Sequence, residues 1–287
     1  MEIKLNDQKL DVNFEHENTL GEVLAGLEQW LDNSGHRLTN FSIDGQNINA
    51  SMVEEIFPRK IDTIKTLDIF TDLTANLSTT ALITLIDDIK NYESANLEEK
   101  SGFLNNWKNN SHSQFISSEM ADLYSLCVNT FSGYSSCETL NLITEERLRE
   151  VQNPSEEFAK IEGLLNDICE RLINLPLDIQ TGKDRFVSET IQLFSGITEK
   201  IFRIFYQIES QGFFAREQKT ENSNFSDKEQ IMRQITAFGK ILKEFLEAYE
   251  KNDSVLVGDI AEYETSPKLK ELYFTIQQSI KTREKIC

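Results

Sequence analysis

Residues 194–208 read FSGITEKIFRIFYQI and residues 231–249 read IMRQITAFGKILKEFLEAY, and these two lines decide the architecture of most of the chain. Phe194, Ile197, Ile201, Ile204 and Ile208 step by three and four, as do Ile231, Ile235, Phe238, Leu242, Phe245 and Tyr249. A stripe at that spacing lies along one side of an α-helix, so two long helices are expected to pack along their length. The stretch from Glu217 to Asp227 is mostly polar and contains Asn222, Ser223 and Asn224, which makes the pair an antiparallel hairpin on which other helices dock. Ser226 with Glu229 has the spacing of a capping box and starts the second helix.

Working outward, Asp253 is expected to cap a short segment carrying Leu256, Ile260 and Tyr263. Ser266 and Pro267 then open a final helix with Leu269, Leu272, Ile276 and Ile280 inward. Upstream, Asn153, Pro154 and Glu156 read as cap, first helical position and a carboxylate reaching back to the cap. The helix behind them places Phe158, Ile161, Leu165, Ile168 and Leu172 inward and should stop near Pro176, because proline disfavours the α conformation of Leu175. Leu177 to Lys183 is then a connector in which Gly182 supplies the turn, and the long helix runs from Asp184 to Gln211, where Gly212, Phe213 and Phe214 end it. Nearer the N-terminus, helical faces are expected over Asn76–Tyr92, from Leu97 to Trp107, along Ile116, Met120, Leu123 and Cys127, and over Ile143–Val151, with Ser132–Glu138 as loop. No repeat of fixed period is visible, so these helices read as a bundle rather than a solenoid.

The first 73 residues follow another pattern. Ile3 and Leu5 alternate, Asn6, Asp7 and Gln8 turn the chain, and Leu10, Val12 and Phe14 alternate again, as in a hairpin with one buried face. Thr19 and Glu22 form a capping box ahead of a helix whose stripe is Leu20, Val23, Leu24, Leu27 and Leu31, ending near Gly35. Leu38–Ile43 is a third strand, Asp44 and Gly45 a tight turn, and Ile64, Leu67 and Ile69 belong to a last strand.

Hairpin, helix, strand, irregular crossing and strand is the order of the ubiquitin-like β-grasp. The opening Met-Glu-Ile-Lys-Leu-Asn-Asp-Gln, the helix start Thr19-Leu20-Gly21-Glu22-Val23-Leu24 and the turn Ile43-Asp44-Gly45-Gln46 resemble the small sulfur-carrier proteins of the thiamin and molybdopterin pathways. The resemblance covers about a quarter of the chain. It implies a β-grasp fold, and those carriers act through a flexible C-terminal Gly-Gly whose carboxylate is activated and thiolated. Here the last strand runs through Asp72, Leu73 and Thr74 into helix with no Gly-Gly, so the resemblance implies a docking or structural module without the carrier chemistry.

The chain has 29 Lys and Arg against 48 Asp and Glu, a formal charge of -19. So negative a surface repels nucleic-acid phosphates and anionic headgroups; it reads as that of a soluble acidic protein, with an acidic face made for a basic protein partner as the sharper alternative. No signal-type apolar core opens the sequence and no run approaches the roughly 18 residues that cross a bilayer, so a cytoplasmic location is expected. Cys127, Cys137, Cys169 and Cys287 fall at irregular spacing with no C-x-x-C, which argues for reduced thiols.

Candidate sites are few. Gly182-Lys183 precedes a helix as in a phosphate-binding loop, but Leu177 stands where the first glycine belongs and Asp184 where the magnesium-holding hydroxyl would be. His16, His36 and His112 are far apart, and no nucleophile elbow occurs. Asp253, Asp259, Glu262 and Glu264 cluster around Gly258, and Asp259 with Glu262 would share a helical face able to bind a cation. Phe213 and Phe214 are adjacent aromatics at the hairpin tip, and two such rings cannot easily face one core, which makes them the first candidates for partner contact.

The expected fold is therefore α+β: a β-grasp over 1–73 followed by a mostly antiparallel helical bundle over 74–287, in two lobes divided near Asn153. The expected function is that of a non-enzymatic, cytoplasmic protein-binding protein (adaptor, assembly factor or chaperone-like subunit) needing no cofactor. The alternative is a cation- or ligand-binding protein or enzyme using the acidic segment between Asp253 and Glu264. Self-association through the long helices is compatible with the first reading.

Overall fold

A computed structural model of the chain describes residues 1–11, 17–48, 52–213 and 226–284. Val12 and Phe14 of the expected second strand, the polar residues Asn222–Asn224, Phe214 and Cys287 lie outside the described residues. The fold is α+β, a small mixed sheet followed by helices, and its contacts divide it into two units. One holds Met1–Gln152 with Ser210–Gly212, the other Asn153–Glu209 with Phe213–Cys287.

In the first unit β1 (Glu2–Leu5), β2 (Gln8–Leu10), β3 (His36–Ile43), β4 (Gln46–Asn47) and β5 (Thr66–Leu73) form one sheet in the order β2-β1-β5-β3-β4. The central pair β1 and β5 is parallel, and β1–β2, β3–β4 and β3–β5 are antiparallel. Both tight turns are made by residues that tolerate positive φ: Asn6 (47°) and Asp7 (67°) after β1, Asp44 (51°) and Gly45 (81°) after β3. The helix α1 (Leu20–Asn33) begins with the Thr19–Glu22 capping box and buries Leu20, Val23, Leu24, Leu27 and Leu31. Most of these join Ile3, Phe41, Ile43, Leu67 and Ile69 in the core of the sheet.

After the short α2 (Val53–Ile56), α3 (Thr74–Ser94) starts on the residue following β5, and α4 (Leu97–Lys108), α5 (Ser111–Glu119), α6 (Ala121–Phe131) and α7 (Cys137–Gln152) pack around it. Their core gathers Leu82, Leu85, Ile89, Trp107, Ile116, Leu123 and Cys127. The face expected to run unbroken from Ile116 to Cys127 is split at Met120, whose backbone (φ -139°, ψ 59°) leaves the helical region. Helix α7 starts at Cys137, six residues before the expected Ile143, because Ser136 accepts the Thr139 N–H in its first turn.

The second unit contains α8 (Pro154–Ala159), α9 (Ile161–Gln180), α10 (Asp184–Ser210), α11 (Asp227–Glu250), α12 (Ser254–Asp259) and α13 (Ser266–Glu284). The two stripes that open the sequence reading meet here. Phe194 lies against Phe238 and Phe245 (ring centroids 6.5 and 6.1 Å) and Phe202 against Phe238 (6.3 Å), which is an antiparallel pairing of α10 and α11. The Ser226–Glu229 box caps α11 with both reciprocal bonds. Two local expectations fail. Asn153 makes no side-chain cap bond, although Pro154 does occupy the first turn. Helix α9 does not stop at Leu175 but passes through Pro176 to Gln180, with Leu172 and Leu175 completely buried. A mid-helix proline costs about 3 kcal/mol, and full burial of one leucine returns about 1.5–3, so the two inward leucines outweigh the missing hydrogen bond.

Between α12 and α13 the chain makes a wide π-helical turn over Ile260–Thr265. Pro267, just beyond it, has no N–H to give to the carbonyl four residues back, so the regular ladder is interrupted where the turn widens. Gly258, in the turn before, lies so close to α9 that a Cβ there would stand 3.1 Å from the Cβ of Pro176.

Candidate functional site

Helices α9 and α11 end in the same way, and the two endings frame a cavity. After α9, Gly182 takes φ 67°, its N–H reaches the Ile179 carbonyl (3.1 Å) and the Lys183 N–H reaches Asp178 (2.9 Å). After α11, Asn252 takes φ 54°, its N–H reaches the Tyr249 carbonyl (3.0 Å) and the Asp253 N–H reaches Ala248 (3.0 Å). Both are Schellman caps, built on a glycine in one case and on an asparagine, which tolerates the left-handed region, in the other. Each cap turns the chain straight into the next helix, α10 at Asp184 and α12 at Ser254, where the Asp253 carboxylate accepts the Leu256 N–H at 3.1 Å.

The space between the two caps measures about 530 Å³, within the range typical of ligand pockets. Ile179, Val187 and Val257 form its apolar wall. Asp184, Ser188, Tyr249, Asn252 and Ser254 contribute the polar groups. Asp184 is the one ionisable carboxylate among these lining residues. The cations beside it in sequence are engaged elsewhere: Lys183 with Asp178 (2.8 Å) and Arg185 with Glu189 (2.8 Å), while Lys251 on the far rim is 3.8 Å from Glu247. Among the described residues Asp184 itself has no ion pair. Tyr249 is itself 46% exposed, and next to the lining residues in sequence stand Val255 (72%) and Leu256 (45%), apolar groups turned to solvent.

The sequence candidates are placed as follows. Asp259 is exposed and Glu262 half-exposed on the π-helical turn; Glu262 is hydrogen-bonded to the Tyr263 hydroxyl, whose pKa it pushes up. Among the described residues no three His, Cys, Asp or Glu side chains come together as a metal would require, so this pair has no third ligand there. Phe213 packs partly buried against the core of the second unit, with Arg283 over its ring at 5.8 Å and an Arg283 guanidinium N–H on its carbonyl at 2.8 Å. Its neighbour Phe214 lies outside the described residues. His112 Nε2 lies 2.6 Å from Asp88 Oδ2 between α5 and α3, a pairing that spacing along the sequence does not reveal. Burial pushes the Cys127 thiol up to about 12, so it is an inert core group. A shallower groove of about 380 Å³ in the first unit runs past Tyr92 and Phe131 and is flanked by Lys100, which sits 5.0 Å over the Tyr92 ring.

The acidity is unevenly distributed. Residues 1–152 hold 25 Asp and Glu against 11 Lys and Arg, whereas residues 153–287 hold 23 against 18. The cavity thus sits in the less charged unit.

The chain is similar to known families in two separate stretches. Residues 1–72 match a family described as the TP0873 N-terminal domain, and residues 156–273 match a domain of unknown function, DUF8042. All the residues that line the cavity fall in the second stretch. An uncharacterized protein of Treponema pallidum (strain Nichols) is 30% identical over 71 residues, which is 25% of this chain and 36% of that protein. The chain thus spans about a third of the length of that relative. No solved structure matches.

Proposed function

We propose that this is a non-enzymatic protein-binding protein of the cytoplasm, an adaptor, assembly factor or chaperone-like subunit. The observation that carries the proposal is the group of solvent-facing apolar side chains beside the end cavity of the second unit, Tyr249, Val255 and Leu256. Large apolar groups gathered at one place on an acidic, charged surface are what an interaction site requires. Phe213 is a weaker candidate, since its ring is already covered by Arg283. In this reading the N-terminal sheet, whose strand order and single packed helix fit a β-grasp, is a docking module.

The test is site-specific photocrosslinking in cells from position 255, followed by mass spectrometry and by capture of the identified partner on purified protein. The double substitution Val255→Asp, Leu256→Asp is expected to abolish capture with the far-UV circular dichroism unchanged. Capture at wild-type strength by that double variant would remove this surface from the proposal. The cation-binding alternative predicts a rise in melting temperature with divalent metal, mediated by Asp259 and Glu262.

A further inference from the structure

The end cavity has the chemistry of a receptor for one kind of side chain. Its apolar wall of Ile179, Val187 and Val257 suits an aliphatic stem. The Tyr249 ring offers a π face, and the Ser188 and Ser254 hydroxyls and the Asn252 amide carry acceptor oxygens that can meet a cation. Asp184 adds a full negative charge that no lysine or arginine of the described chain neutralises, because Lys183, Arg185 and Lys251 are each held by another carboxylate. A divalent metal is a poor occupant, since Asp184 is the only ionised ligand among the lining residues. An anion would meet that carboxylate. A cationic head on an apolar stem suits the apolar wall, the Tyr249 ring and the Asp184 carboxylate together.

We propose that the cavity receives a lysine or arginine side chain from a basic segment of the partner protein. This rests on the protein-binding reading above and names what that surface selects. The seated side chain lays its methylenes on Val187 and Val257 and directs its charge to Asp184 and the Tyr249 ring, with the exposed Val255 and Leu256 holding the flanking partner residues. Asp184 is a specificity-determining group and the apolar rim supplies contact area.

The proposal is tested by titrating the ¹⁵N-labelled full chain with acetylated, amidated Gly-Gly-Arg-Gly-Gly and Gly-Gly-Lys-Gly-Gly, and with the same peptides carrying citrulline or norleucine at the centre. The charged peptides are expected to shift the amides of Ser188, Asn252 and Ser254, and the neutral ones to leave them in place. Asp184→Asn, on an exposed side chain that makes no ion pair, is expected to weaken binding about fivefold. Equal shifts from the citrulline peptide, unchanged binding in Asp184→Asn, or shifts from spermidine alone would each overturn the assignment. The two proposals fail differently. Partner capture that survives Asp184→Asn but is lost in Val255→Asp, Leu256→Asp removes the cation receptor and leaves protein binding in place. Capture that survives both removes the surface altogether.

Discussion

Removing the hydroxyl of Tyr273 tests whether the second unit is organised around a buried polar knot as well as an apolar stripe. Tyr273 is completely buried, and its ring stacks on Phe158 with centroids 4.9 Å apart and planes 9° from parallel. Its hydroxyl donates to the Phe158 carbonyl at 3.1 Å and accepts from Gln277 Nε2 at 3.0 Å; the same Gln277 nitrogen also reaches Glu162 at 3.3 Å. Tyr273→Phe keeps the stack and the volume but leaves a buried carbonyl without this donor, a loss of about 1–3 kcal/mol. Burial, with the Glu162 charge second, pushes the hydroxyl's pKa from 10.0 to about 12. Because the folded value is the higher one, the corresponding stability is fully present below pH 10 and is lost as pH rises toward 12. Each pKa unit corresponds to about 1.4 kcal/mol, so about that much has gone by pH 11. The phenylalanine variant has no such proton, and every other group titrates alike in both proteins. In urea unfolding followed by circular dichroism, the variant should be less stable at pH 8, with the gap narrowing by about 1.4 kcal/mol at pH 11. A variant as stable as the wild type at pH 8, or a gap that does not change with pH, would refute the reasoning.

Two further outcomes follow from close contacts. Gly258→Val places a branched side chain where a Cβ already stands 3.1 Å from Pro176, and overpacking of this kind costs about 1–3 kcal/mol, seen as a lower melting temperature with Gly258→Ala in between; an unchanged melting temperature would contradict the contact. In the first unit the Asp44 carboxylate accepts the Thr66 and Lys65 N–H groups at 2.9 and 2.8 Å, and these bonds, that from Thr66 first, hold its pKa below the usual value. That contribution is present above the ordinary carboxylate pKa and is lost as pH falls through the lowered one. Asp44→Asn should therefore unfold more readily at neutral pH and show a shallower acid transition, measured by pH titration of the far-UV signal.

The parts of the fold that were legible are those in which local chemistry and packing agree. Thr19 with Glu22 and Ser226 with Glu229 are capping boxes in sequence and in space, and Leu20 to Leu31 is one stripe in both. Asn6-Asp7 and Asp44-Gly45 turn the chain because those residues accept positive φ. Legibility fails where tertiary contact overrides a local rule. Pro176 reads as a stop, yet α9 passes through it to Gln180 with Leu172 and Leu175 buried in the turn before it. Tyr249 reads as the last rung of the α11 stripe, yet Ala248 takes the buried position and the larger ring faces solvent. The π-helical turn at Ile260 has no periodic signature, since six residues are too few to show one.

The cavity was legible only in pieces. Gly182 and Asp184 stand in a phosphate-loop pattern that Leu177 and Asp184 itself rule out, and Asp253 is a helix cap. No spacing along the chain reveals that the caps after α9 and α11 bound one cavity, because that depends on how α10 and α11 pair through Phe194, Phe238 and Phe245. In the proposed role Asp184 would discriminate without binding tightly. A single exposed carboxylate contributes on the order of 1 kcal/mol against a solvated cation, too little to hold a partner by itself. Affinity must come from apolar area, which Val255 and Leu256 provide beside the cavity and the half-exposed Tyr249 ring at its edge. The pairing of α10 and α11 therefore places the selecting charge and the binding area at one end of one unit, which is why separate substitutions at Asp184 and at Val255 with Leu256 can tell selection from affinity.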